Sequence, residues 1–196
     1  MENNKTENRI HRKRQYSQMV IRKAFLELLG KKPINKITVK EICDLADVNR
    51  TTFYGNFYDI YDILDRVQNE LYEKIEASVK KSKYRNESLF EIFEIIEENR
   101  DLCRILFGNN DGRDFVHTAM RIPYAYLLDE WTAKSKLPDE RFVYLLEFCA
   151  NGCVGFVRKW VMEEAKTPYR EAAKLLQTFV SASLSVLSEN NNKNPS

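Results

Sequence analysis

Apolar residues in this chain recur at intervals of three and four and almost nowhere at intervals of two, which predicts an all-α fold. Ile21, Ala24, Phe25, Leu28 and Leu29 form an i, i+3, i+4, i+7, i+8 stripe. A first helix is therefore expected from about Arg14 to Leu29, ended by Gly30 and Pro33, with residues 1–9 disordered before it. Thr38-Val39-Lys40-Glu41 has the form of a capping box that starts a second helix. Asp47 and Val48 interrupt that helix, and Asn49 is a strong N-cap for a third, from Arg50 to Phe57 or Tyr58. Asp59 caps a long fourth helix marked by Ile63, Leu64, Val67 and Leu71, which fades over Lys80 to Asn86. Further helices are expected at about 87–98, 99–107, 115–135 (bent at Pro123), 139–165 and 168–188, with a loop at 108–114, for about nine in all. The expected organisation is a basic arm and three-helix head over residues 1–60, a helical bundle over 61–189, and a disordered tail over 190–196.

Two short helices joined by a tight turn, the second with a polar face, form the arrangement that reads duplex DNA, because one helix fits the major groove. Phe53 and Phe57 sit at i, i+4 and are expected to face inward, leaving Arg50, Thr51, Tyr54 and Asn56 on outer faces. Arg50, in the first turn, has the chemistry to pair with guanine O6 and N7. Thr51 and Thr52 can bond a base edge or touch a thymine methyl, and Tyr54 can donate to a phosphate. Thr38, Lys40 and the amides at the start of the second helix suit flanking phosphates. Spacing alone leaves open a helical hairpin whose polar residues merely face solvent.

Charge sharpens the choice. Residues 1–58 hold 12 Lys/Arg against 6 Asp/Glu, a net of +6, and residues 59–196 hold 19 against 23, a net of −4. A basic front and an acidic back suggest that only the front meets a polyanion, although a solvated tail carrying Arg9, Arg12, Lys13 and Arg14 accounts for much of the excess. No secretory signal or membrane-length apolar run is present, so a cytoplasmic protein without membrane partners is expected. Cys43, Cys103, Cys149 and Cys153 fall in apolar helical patterns and read as buried thiols rather than disulfides or metal ligands. His11 and His117 have no ligand or triad pattern beside them, and no glycine-rich phosphate loop occurs, so no enzyme, cofactor or metal is expected. A helical adaptor that binds only protein is the remaining rival.

From Ile21 to Val67 the sequence resembles the N-terminal domain of the TetR/AcrR family of transcriptional regulators. The resemblance rests on the run from Ala24 to Leu29, on Ile37 to Cys43, and above all on Ala46 to Phe57, where Asp47 replaces the family's glycine. It implies that Thr38, Lys40, Asn49, Arg50, Thr51, Thr52, Tyr54 and Asn56 occupy DNA-contacting positions. It also implies a regulator, most often a repressor, that binds a double-stranded operator as a homodimer through its last two helices. The C-terminal domain of such proteins often encloses a small-molecule effector. Tyr124, Tyr126, Trp131, Tyr144 and Phe148 could line such a pocket or simply be core, so no effector residue is assigned. In the helix expected at 139–165, Phe148, Cys149, Gly152, Cys153, Gly155, Phe156, Val157 and Trp160 provide small and aromatic residues that suit either dimer contact or internal core packing. Asn99–Phe115 together with Gly152–Val161 resembles a TetR-like subgroup related to dihydroxyacetone kinase operon regulators. Two departures stand out: Ile60 lies where the family often has lysine, and Gly55 lies where a large or basic residue is common. Gly55 would cost a helix interior about 1 kcal/mol relative to alanine. Both departures shift phosphate binding toward the basic arm, Arg9 to Arg14.

Overall fold

The computed structural model describes residues 2–81, 85–108, 140–163 and 167–191. These residues form eight α-helices and one 3-10 turn, with no strand among them. The helices are α1 (Glu2–Leu29), α2 (Val39–Ala46), α3 (Arg50–Tyr54), α4 (Ile60–Lys81), α5 (Arg85–Glu98), α6 (Arg100–Gly108), α7 (Glu140–Met162) and α8 (Tyr169–Asn191). The helix expected at 115–135, the 108–114 loop beyond Gly108, His117, and the aromatics Tyr124, Tyr126 and Trp131 lie outside the described residues. The chain folds as two compact units, the first built on the N-terminal chain through Leu71 and the second beginning at Tyr72.

In the first unit, α1 packs against α2 and α3, and α2 against α3. The stripe read from the sequence is the core: Ile21, Ala24, Phe25 and Leu29 of α1 are buried with Ile42, Phe53, Phe57, Ile63, Leu64, Val67 and Leu71. Between α1 and α2 the chain passes Pro33 and a 3-10 turn at Ile34–Lys36, which buries Ile34. The N-terminus departs from expectation. Helix α1 begins at Glu2 instead of near Arg14, so residues 2–9 are helical where disorder was expected. No glycine or proline occurs before Gly30, so nothing in the backbone interrupts the helix once the packed part from Ser17 onward has nucleated it. Residues 8–16 are exposed on every side, so this extension is a solvated basic helix.

In the second unit, α5 packs against α8, and α7 against α8. Phe93 of α5 meets Trp160 of α7 at 4.8 Å between ring centres, and Phe156 reaches Phe179 of α8 at 6.2 Å. Two arginines one turn apart on α6 hold the end of α7. Arg100 lies over the Trp160 ring at 4.7 Å, donates through Nη2 to the Trp160 carbonyl, and pairs through Nη1 with Glu97 at 2.7 Å. Arg104 donates to the carbonyls of Val161 and Glu163, each at 3.0 Å. A helix end leaves its last carbonyls unpaired and carries partial negative charge, and the two guanidinium groups answer both needs. The Trp160 indole N–H then fastens the following chain at the Thr167 carbonyl, 2.8 Å away. The two separate stretches that resemble one C-terminal domain thus meet through these contacts.

Cys43 and Cys103 are buried, whereas Cys149 and Cys153 are only half-buried, and all four are free. Burial pushes the Cys103 thiol up to about 12 and Cys153 to about 11, so both remain protonated near neutrality. Tyr144 and Phe148 are not core residues: they are 76% and 68% exposed on α7. Among the described residues, no helix is long and apolar enough to cross a membrane.

Arg100 is 6% exposed, so its loss would strand the Trp160 carbonyl and open space beside the indole. Arg100→Ala is expected to destabilise the second unit by about 2–4 kcal/mol, and Arg104→Ala, at a half-buried site, by about 1 kcal/mol. Urea unfolding followed by tryptophan fluorescence measures both, since both tryptophans lie after Tyr72. Equal costs would show that the Arg100 contacts are not the stronger tie.

Candidate nucleic-acid interface

Helix α2 begins at a complete capping box. The Glu41 amide donates to Thr38 Oγ1 at 3.3 Å, and the Thr38 amide donates to Glu41 Oε2 at 3.0 Å. The Thr38 hydroxyl gives its proton to the same carboxylate at 2.8 Å, while Lys32 Nζ reaches the other oxygen at 2.6 Å. The bond from Lys32, and then that from Thr38, hold the Glu41 carboxyl below its ordinary range. Ile37 and Ile42, at the two positions of a hydrophobic staple, are both buried.

The chain then turns through Asp47, which sits at φ 51° and ψ 49° in the left-handed region. It is the one non-glycine residue with positive φ among the described residues. The Val48 amide returns to the Cys43 carbonyl at 3.0 Å, closing the end of α2. Aspartate tolerates this conformation better than most residues, because its short polar side chain crowds the backbone little. Asn49 caps α3 by accepting the Thr52 amide at Oδ1, 2.7 Å away.

Helix α3 spans only Arg50–Tyr54, shorter than the expected run to Phe57 or Tyr58. Gly55 is its C-cap, at φ −71°, so the interior penalty expected for a glycine does not arise. The amides of Asn56 and Phe57 both return to the Phe53 carbonyl at 2.9 Å, which carries the chain out of the helix and buries Phe57. This exit moves one candidate. Asn56 was expected on an outer face but is only 9% exposed. Its Nδ2 donates to the Thr52 carbonyl at 2.7 Å, while its Oδ1 is buried with no partner. The helical phase that placed Asn56 outside ends at Tyr54, so that projection no longer applies.

The remaining candidates divide by what their side chains already do. Lys40, Arg50 and Thr51 are exposed, and Tyr54 is 58% exposed with its ring set against Phe53 at 5.3 Å. Arg50 and Tyr54, at i, i+4, share one face of α3. Asn49 is exposed and uses its oxygen for the cap, which leaves its amide hydrogens pointing to solvent as donors. Thr38 is exposed, but its hydroxyl proton is committed to Glu41; Thr52 is half-buried. The outward polar set is therefore Lys40, Asn49, Arg50, Thr51 and Tyr54. Periodicity missed two further tyrosines, Tyr58 (84% exposed) and Tyr61 (49% exposed), because a bulky ring next to buried Phe57 and Ile63 looks like core in sequence. Among the described residues, no group of three or more His, Cys, Asp or Glu could hold a metal ion.

The model of the TetR-type transcriptional regulator C-terminal region matches residues 85–182, half of the chain. The chain belongs to the TetR family of transcriptional regulators. That family consists of transcription factors and not enzymes, which agrees with the reading of the sequence. Solved structures of the same fold include a TetR transcriptional regulator from Streptococcus agalactiae 2603V, 22% identical, with a TM-score of 0.68 over 87% of this chain and 96% of that one. The dihydroxyacetone kinase operon activator DhaS is 18% identical, with a TM-score of 0.59 over 88% of this chain and 96% of its own. A putative TetR-family regulator from Syntrophomonas wolfei str. Goettingen is 18% identical, with a TM-score of 0.62 over 87% of this chain and 96% of that one. No curated protein matches the chain in sequence. The all-α fold and the family agree with what the sequence implied.

The backbone at position 47 offers a direct check on the turn. Asp47→Gly is expected to leave stability unchanged or raise it by up to about 1 kcal/mol, since glycine carries no left-handed penalty. Asp47→Val should cost about 1–2 kcal/mol in thermal or urea unfolding. A valine variant as stable as the parent would mean that the turn has relaxed to another conformation.

Proposed function

We propose that this TetR-family chain is a sequence-specific repressor that binds a pseudo-palindromic operator as a homodimer. Residues 1–60 serve as the reading head and residues 61–189 as the dimerisation domain. The observation that carries the reading is the outward polar face of α3, with Arg50 and Tyr54 one turn apart and Ile42, Cys43 and Phe53 buried behind them. Arg50 reads a base edge; Thr51 and Asn49 contact base or sugar; Lys40 and Tyr54 hold phosphates. Thr38, Thr52 and Asn56, although at motif positions, act mainly by fixing the two helix starts and the exit from α3.

Dimerisation is supported by an apolar face on α7 and α8. Tyr144, Phe148, Gly152 and Gly155 fall on one side of α7, and Leu175, Phe179 and Ala182 on one side of α8, all exposed. Nothing lies within 4 Å of where a side chain on Gly152 or Gly155 would begin, which suits close approach by a second helix pair. Val157 and Trp160, by contrast, are core residues at 3% exposure. Exposed apolar surface of this kind marks an interface, and two-fold symmetry of the protein implies matched half-sites in the DNA. A small-molecule effector, where one acts, would favour a dimer whose reading heads stand at the wrong separation.

Arg50→Ala should cost about 1–3 kcal/mol of operator affinity and relax preference at one base pair per half-site. Lys40→Ala should instead weaken all duplexes alike and flatten the salt dependence by about one unit per phosphate contact, or about two for the homodimer. A base-substitution series titrated at several salt concentrations distinguishes the two roles, and the reverse pattern would sink the assignment. Phe148→Lys with Phe179→Lys should convert dimer to monomer in sedimentation and remove binding to the full operator; a dimer that persists would place the interface elsewhere. A promoter–reporter assay with and without the protein reads the sign of regulation, with DhaS, an activator, as the contrasting case among proteins of this fold.

A further inference from the structure

The link from α3 into α4 carries no positive charge. Between Thr51 and Asp65 there is no lysine or arginine, and Asp59, Asp62 and Asp65 are acidic. The next basic residue, Arg66, is occupied: it pairs with Asp62 through Nε and Nη2 at 2.8 and 2.9 Å, and lies over the Phe57 ring at 4.9 Å. Two of the aspartates are likewise engaged. Asp59 caps α4 by accepting the Asp62 amide at 2.8 Å, and Asp62 accepts the Tyr58 amide at 2.8 Å. This same link displays three tyrosines outward: Tyr54 at the end of α3, Tyr58 in the turn and Tyr61 in the first turn of α4, at 58%, 84% and 49% exposure. The residues beside them, Phe53, Phe57, Ile63 and Leu64, are buried, and the Tyr58 backbone is tied to Asp62, so the exposure is imposed by the fold. None of the three hydroxyls has a hydrogen-bond partner among the described residues.

We infer that Tyr58 and Tyr61 extend the Tyr54 contact into a flank of neutral donors, whose phenol hydroxyls bond DNA phosphates where the chain has no cation to offer. The inference rests on the DNA-binding reading above and names how that interface grips the backbone on this side. A phenol bonds a phosphate oxygen without neutralising it, so it adds affinity without releasing a counterion. Its signature therefore differs from that of lysine: removing the hydroxyl weakens binding and leaves the salt dependence unchanged.

The test uses the full-length protein and a labelled duplex that it selects from a random-sequence pool. Tyr58→Phe and Tyr61→Phe keep the ring and should leave the melting temperature unaltered. Each is expected to weaken binding about 3- to 10-fold, the range of one hydrogen bond, with the slope of log K against log salt unchanged. Tyr58→Lys, at an almost fully exposed position, should steepen that slope by about 0.9 per subunit bound, or about 1.8 for a homodimer on both half-sites. Wild-type affinity in the double Tyr58→Phe, Tyr61→Phe variant, or an unchanged slope in Tyr58→Lys, would overturn the inference while leaving the regulator reading intact. Failure of the wild-type protein to select any duplex would instead remove the DNA-binding reading, and this inference with it.

Discussion

Helix α3 has five residues, so its conformation depends on what holds its ends and its inner face and not on its own hydrogen bonds. Asn49 satisfies one amide at its start, the Phe53 carbonyl receives the chain at its end, and Phe53 itself is fully buried in the first unit. Helix α2, with eight residues, is scarcely more self-sufficient and relies on the Thr38–Glu41 box, on Lys32, and on the left-handed turn at Asp47. The apolar stripe of α1 is the surface on which all of this closes. Everything that points outward from α2 and α3 is placed by those few inward contacts.

The same economy explains why three of the motif's eight candidate polar side chains serve the backbone. A short helix exposes a large share of unpaired backbone groups, and the nearest polar side chains must answer them. Thr38, Asn49 and Asn56 do so, and what they spend on the backbone they cannot offer in full to a nucleic acid. The outward polar set that results is small, with two cations, Lys40 and Arg50, and otherwise neutral donors. Under the proposed function, a reading head built this way would draw its backbone affinity from hydroxyls on its α4 side and from the basic helical extension of α1, and would gain a second set of contacts from a second subunit.

In the second unit the corresponding anchor is the end of α7. Arg100 and Arg104 satisfy its carbonyls while Trp160 fills the space between α5 and α6, so the helix that displays Tyr144, Phe148 and the two open glycines is fixed in rotation. Its apolar face is a defined surface because its opposite face is bound. The two units share a logic: a stringently packed inner side lets the outer side carry chemistry.

Much of this was legible in the sequence. Helical period, the capping residues Thr38, Asn49 and Asp59, and the buried stripe of α1 follow from local rules, because caps and periodicity act over three or four residues. The run from Ala46 to Phe57 identified the motif and its family. What the sequence could not decide were phases and ends that depend on distant contacts. Position 56 reads as outward on a continuing helix, yet it is buried because the chain leaves the helix after Tyr54 to bury Phe57. Tyr144 and Phe148 read as pocket lining or core, yet stand exposed, and the exposure of Tyr58 and Tyr61 had no signal in the periodicity, since only tertiary packing determines which side of a helix finds a neighbour. The pairing of Arg100 and Arg104 with the end of α7 spans about sixty residues of sequence. No local pattern encodes it, and only the folded chain brings those guanidinium groups to the carbonyls they satisfy.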